Sequence, residues 1–133
     1  MIYVDAMHGK LARILRVFGV SCVYLTSDLT DNQIVKLLKD NDVLITSDFE
    51  LSKRVKNVIY LDSKDLKTNL EKIVNSGIKL DIQNPYCYLC NVKLERIGNK
   101  YRCPSCNRFY WRGKQWGNLK KYLPSQLQEF SNT

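Results

Sequence analysis

Four cysteines spaced C-x2-C-x12-C-x2-C, at residues 87, 90, 103 and 106, constrain this chain more than any other feature. Each pair fits one tight turn, and two such turns facing each other offer four thiolates in a tetrahedron. Zinc takes four soft ligands in that geometry. Cys87, Cys90, Cys103 and Cys106 are therefore expected to hold one structural zinc ion. Asn91 and Asn107 follow the two pairs, and asparagine tolerates the left-handed backbone that aims N–H groups at sulfur. Between the pairs, "VKLERIGNKYRC" reads as a hairpin turning at Gly98-Asn99, and "RFYWRG" supplies a third strand. The module is a zinc ribbon. A redox dithiol would show one pair in a thioredoxin-like context, and cytosolic thiols stay reduced. The fifth cysteine, Cys22, lies in an apolar run and reads as inert core.

The residues before the ribbon alternate. Apolar runs at 2–4, 21–26, 43–46 and 58–61 read as strands, separated by helical patterns that place Leu11, Ile14, Leu15 and Phe18, then Ile34, Leu37 and Leu38, then Leu66, Leu70, Ile73 and Val74, on one face each. Gly19 is expected to end the first of these helices. Strand–helix alternation means parallel strands with right-handed crossovers, hence a four-stranded sheet covered on both faces. In such sheets ligands gather beyond the carboxyl ends of the strands. Asp5, Asp28 and Asp31, Asp48, and Asp62 follow the four strands in turn. Crowded carboxylates repel unless a cation neutralises them, and hard oxygen ligands suit Mg²⁺ or Mn²⁺. Capping competes with this reading, because aspartate is a preferred N-cap. "SDFE" forms a capping box with Ser47 as cap and Glu50 three residues on.

Charge and aromatic content shift along the chain. Residues 1–80 carry 12 Lys+Arg against 10 Asp+Glu and 5 aromatics; residues 81–133 carry 9 against 3, with 9 aromatics. Cations meet phosphates and rings stack on bases, so a basic aromatic tail suits a nucleic-acid partner. "SGIKLDIQNPY" at 76–86 marks the seam. It divides the chain into residues 1–81 and a ribbon with a helical tail, residues 82–133. No run approaches the ~18 apolar residues of a membrane span, and "MIYVDAM" opens without a secretory pattern. A cytoplasmic location with no membrane partner is expected.

"VDAMHGKLARILRVFGV", then Asp31, then "DVLITSDFELSKR" resemble the N-terminal half of the Mut-seven C-terminal RNase domain family, whose members end in a zinc ribbon. The resemblance implies a PIN-like three-layer α/β domain with a mainly parallel four-stranded sheet, followed by the small β ribbon. It assigns Asp5, Asp31 and Asp48 to the family's acidic positions, holding catalytic Mg²⁺ or Mn²⁺, and Lys10, Arg13 and Arg54 to its basic ones. Asp28 and Asp62 have no clear match. Two departures stand out: His8 replaces an aliphatic residue, and Gln115 in "WRGKQW" replaces a common histidine.

These readings converge on a metal-dependent ribonuclease acting on single-stranded or loosely structured RNA. Lys10 and Arg13, one turn apart on the first helix, are expected near the scissile backbone. Lys93, Arg96, Lys100 and Arg102 supply a basic ribbon surface, with Arg108, Arg112 and Lys114 beside them. RNA, rather than DNA, rests on the family resemblance. The alternative from another class is a non-catalytic RNA-binding factor, on the ribosome or another ribonucleoprotein, that uses the basic ribbon. A toxin-type nuclease with a protein partner is a third reading. His8, the lone histidine, is a weak contender for a base, since metal-bound water needs none.

Overall fold

Alternation of apolar residues in two directions builds the larger sheet. The computed structural model describes residues 1–111 and 118–124. Four short strands, β1 (Ile2–Val4), β2 (Val23–Tyr24), β3 (Val43–Thr46) and β4 (Val58–Tyr60), are all parallel in the order β2-β1-β3-β4. Register places Val4 beside Ile45 and Ile45 beside Ile59, while Tyr3, Leu44 and Val58 form the next row. Neighbours in register share a face, so the two rows make two apolar faces. The Val4 row packs under α1 (Gly9–Val17) and α4 (Leu66–Asn75), through Leu11, Ile14, Leu15, Leu70 and Ile73. The Tyr3 row packs under α2 (Asp31–Leu37) and α3 (Phe49–Ser52), through Ile34 and Leu51. The result is the three-layer α/β arrangement that the alternation implies. β2 is shorter than the apolar run 21–26 suggests: Cys22 and Leu25 are buried, but only Val23 and Tyr24 join the ladder.

Gly19 ends α1 as expected. Its φ of +87° is left-handed, its N–H reaches Arg16 C=O, and Val20 N–H reaches Leu15 C=O. These two bonds are a Schellman motif. A β-carbon at Gly19 would stand 1.9 Å from the Asp81 carbonyl oxygen. Glycine is thus required twice, for its backbone angle and for the chain that crosses it.

That crossing chain leads into the ribbon. β5 (Glu95–Ile97), β6 (Lys100–Arg102) and β7 (Phe109–Trp111) form an antiparallel sheet in that order. The ribbon is wired to the α/β part by main-chain groups. Arg16 Nη1 donates to Tyr88 C=O at 2.7 Å, while its Nε and Nη2 donate to Cys22 C=O at 3.0 and 2.8 Å. Tyr86 N–H reaches Arg16 C=O at 2.8 Å, and Cys22 N–H reaches Asn91 Oδ1 at 3.0 Å. Leu123 is fully buried in the α1/α4 core, with Leu119 and Tyr122 packed against it. The tail beyond Pro124, and the expectations placed on Arg112, Lys114 and Gln115, fall outside the described residues. Among the described residues no helix is long and apolar enough to cross a membrane.

Candidate functional site

The strand order locates the site before any side chain is considered. The chain runs from β1 to β2 on one side, then crosses to β3 on the other. In open α/β sheets ligands sit where the order reverses, here at the carboxyl ends of β1 and β3. Asp5 follows β1 and Asp48 follows β3. Asp31 opens α2 in the segment after β2, on the far side of β1.

Thr46 joins the first two. It is wholly buried at the end of β3, donates from Oγ1 to Asp5 Oδ2 at 2.6 Å, and accepts from Asp48 N–H at 3.0 Å. Asp5 is itself only 8% exposed. A turn of 3-10 helix over Ala6–His8 starts directly after it, earlier than its spacing suggests, yet the Asp5 side chain does not cap that turn. Its carboxylate is committed to the rim instead.

Asp48 does cap. Its Oδ1 accepts Leu51 N–H at 3.1 Å, making Asp48, not Ser47, the N-cap of α3. The shift of one residue frees Ser47, whose Oγ lies 2.6 Å from His8 Nε2. Capping engages one carboxylate oxygen, and a carboxylate has about four lone-pair sites on two oxygens, so capping and metal ligation are compatible. Asp31 sits in the first turn of α2, where Thr30 forms a full capping box with Gln33. Asp31 is thereby relieved of the cap.

The basic residues divide. Arg54 Nη2 donates to Asn32 Oδ1 at 2.6 Å, next to Asp31. Lys10 borders a groove of about 700 Å³ that also takes in His8, Ser47, Asp62, Asp65 and Tyr122. Arg13 faces the ribbon rather than the rim, lining a cavity with Tyr88. Burial outweighs the charge of Asp5 and holds His8 below its ordinary value. Asp62 is exposed and pairs with Lys72 at 3.9 Å. Asp28 is exposed and turned toward Thr26, whose hydroxyl holds its carboxyl below the usual range.

The ribbon site is geometrically complete. The four sulfurs lie within 4.8 Å of one another, the one such cluster of three or more metal-ligating side chains among the described residues. Cys87 and Cys106 sulfurs are 3.8 Å apart; a tetrahedron with ~2.3 Å zinc–sulfur arms has edges of about 3.8 Å. The two turns repeat one pattern. Cys87 N–H reaches Val92 C=O and Asn91 N–H returns to Cys87 C=O; Cys103 and Arg108, then Asn107 and Cys103, do the same. Asn91 and Asn107 have φ of 56° and 63°, the left-handed positions expected of them. Burial pushes the Cys87 thiol up, but the Tyr110 hydroxyl, the Cys90 and Leu89 N–H groups and Cys103 outweigh it and hold it at about 7. Cys90 is driven to about 12 by Cys106, burial and the neighbouring thiols. The four sulfurs are positioned to bind one zinc ion, whose charge would offset that of four thiolates.

Lysine and arginine on the ribbon are arranged less uniformly than the sequence implies. Arg102 pairs with Glu95 at 3.1 Å, Arg96 Nε reaches Gly98 C=O at 3.3 Å, and Lys93 is exposed. Sequence reasoning missed Thr46 and Arg16. Thr46 stands inside the quoted "DVLITSDFELSKR", and its signal is a buried hydroxyl between the Asp5 carboxylate and the Asp48 N–H, visible only with the β1/β3 register.

Fold and site together define a class: a parallel α/β domain with an acidic rim, continued by a small zinc-binding ribbon. The chain belongs to the Mut7-C RNAse domain family, whose model matches residues 1–101. That span runs past the boundary expected near residue 82 and takes in the first cysteine pair. Comparisons with curated proteins and with solved structures give no match. Membership implies a nuclease-like function with RNA as the substrate class.

Proposed function

We propose that this protein is a metal-dependent ribonuclease of the cytosol, hydrolysing phosphodiester bonds in single-stranded or loosely structured RNA, with Asp5, Asp31 and Asp48 as its metal ligands. The observation that carries the reading is the Asp5–Thr46–Asp48 relay at the strand-order reversal. A buried carboxylate oriented by a neutral hydroxyl is held in one direction. That is what a ligand to a hard cation requires. Mg²⁺ keeps several of its waters and takes one or two carboxylates directly; Asp5 and Asp48 follow adjoining strands and Asp31 the next one, without the three forming a ready-made cluster. A bound Mg²⁺ or Mn²⁺ would supply an activated water and stabilise the leaving oxygen.

The chain's own residues supply orientation and charge. Thr46 fixes Asp5, the α3 cap fixes Asp48, and Arg54 holds Asn32 beside Asp31. Lys10, at the start of α1, rests its ammonium on Tyr122, 3.5 Å from the hydroxyl, within the groove that an approaching phosphate would enter. RNA cleavage in Mg²⁺ or Mn²⁺, abolished by chelation and by Asp5→Asn, tests the reading; metal-independent cleavage, or full activity in Asp5→Asn, overturns it.

A further inference from the structure

A cavity of about 410 Å³ lies between α1 and the ribbon, inside the ~300–1,000 Å³ range of small-molecule sites. Tyr86, Tyr88, Tyr101 and Tyr110 line it, with Lys10 and Arg13 from α1. We propose that it is a base-stacking slot for unpaired nucleotides of the RNA whose backbone crosses the acidic rim; the inference rests on the ribonuclease reading above.

Ribbon register explains why the rings face inward together. Tyr101 pairs with Tyr110 across β6 and β7, and directly opposed residues share a face. The rings are held at both ends. Tyr110 Oη lies 3.0 Å from Cys87 Sγ, and Tyr101 Oη donates to Gln83 C=O at 3.4 Å. Tyr88 meets Tyr110 edge to face, with centroids 5.8 Å apart. Tyr101 is needed for the ribbon core, being buried with Cys87, Leu94 and Cys103. Tyr86, Tyr88 and Tyr110 remain partly exposed. Pre-organised rings lose little entropy on binding, and stacking accepts any base because every base has a π-face.

Charge selects the occupant. The described lining includes Lys10 and Arg13 but no carboxylate, and Arg108 lies 5.6 Å over the Tyr88 ring. An apolar peptide would gain nothing from those cations, whereas the phosphates flanking a stacked base would. Continuity points the same way. Lys10 lines both this cavity and the groove beside His8 and Ser47, so one strand can lie on the rim, pass Lys10 and set its bases among the tyrosines.

The test uses full-length, zinc-loaded protein in an Asp48→Asn background, with a short oligouridylate carrying one 4-thiouridine. Photocrosslinks should map to peptides containing Tyr86, Tyr88 or Tyr110. Tyr88→Leu should weaken binding about 5- to 150-fold, the value of one stacked base, at unchanged zinc content. Arg13→Gln, exposed on α1 and harmless to folding, should weaken binding and lower its salt dependence. Crosslinks confined to the outer ribbon face around Ile97 and Phe109, or wild-type affinity in Arg13→Gln, overturn the slot. Dimerisation through the cleft, or displacement of the RNA by an apolar peptide, overturns it also. Cleavage of a long RNA by wild-type protein is followed in parallel. Cleavage without slot crosslinks sinks this inference alone; slot crosslinks without metal-dependent cleavage sink the nuclease reading.

Discussion

Thr46 Oγ1 donates to Asp5 Oδ2 at 2.6 Å, so a hydroxyl at the end of one strand aims a carboxylate at the end of the next. The same oxygen accepts Asp48 N–H. Thr46→Val keeps the shape and removes both bonds, leaving a buried carboxylate and an N–H short of a partner. Stability should fall by about 1–3 kcal/mol. Metal affinity or cleavage should fall by about 10- to 100-fold, as for other supports of metal ligands. Metal titration of RNA cleavage checks this. A stability loss with unchanged metal dependence would leave Thr46 a purely structural residue.

Asp48 separates capping from chemistry. Asparagine caps about as well as aspartate, so Asp48→Asn should unfold at the wild-type temperature yet lose cleavage. Asp48→Ala should lose cleavage and also about 1 kcal/mol of stability. Activity retained in the asparagine variant would make the cap its whole role.

Much of this was legible before the structure. "VLIT" and "IYV" are apolar runs too short for helices and each ends at a polar residue, so they read as strands without tertiary information. The cysteine spacing needs only local turns, and the left-handed Asn91 and Asn107 follow from it. What escaped is long-range or subtle. The Thr46 bond joins residues 41 apart and exists only through the β1/β3 register. The α3 cap moved by one residue because Asp48 and Ser47 are both good caps, and Ser47 found His8 instead. Arg16 carries no signal of its own in the sequence; its role is to bind the carbonyls of Cys22 and Tyr88.

Zinc removal should reach beyond the ribbon. Arg16, Asn91 and Tyr86 bond the first cysteine turn to α1 and to the Cys22 segment, and zinc binding is folding energy for such a module. Chelation should therefore lower the melting temperature of the α/β part as well. Each 1 kcal/mol lost is about 4–8 °C for a domain of this size. Circular dichroism at a helical wavelength, with and without chelator, measures the shift; an unchanged melt would mean the two parts fold independently.

Gly19→Ala tests the same junction from the other side. A left-handed alanine costs about 1–2 kcal/mol. The added methyl would also collide with Asp81 C=O, whose own N–H reaches Phe18 C=O at 2.8 Å. Denaturant unfolding should show a loss larger than the backbone term alone. A loss within that term would mean the crossing chain yields at little cost.

Salt dependence decides how much of the grip on RNA belongs to the ribbon surface. Each phosphate contact on a single strand adds about −0.7 to the slope of log K against log salt. Arg102 is held by Glu95 on the neighbouring strand, so its neutralisation exposes a carboxylate and confounds the count. Lys93, Arg96 and Lys100 are therefore replaced together, with Arg102 left in place. Their combined replacement by glutamine should flatten the slope by up to about 2 and weaken binding. Replacing Lys10, Arg13 and Arg54 should instead depress cleavage together with binding, because Lys10 lines the groove with His8 and Ser47 and Arg54 binds Asn32, next to Asp31. Fluorescence anisotropy over a salt series, in an Asp48→Asn background, reads both sets. An unchanged slope in the ribbon triple variant would move the RNA entirely onto α1 and the rim.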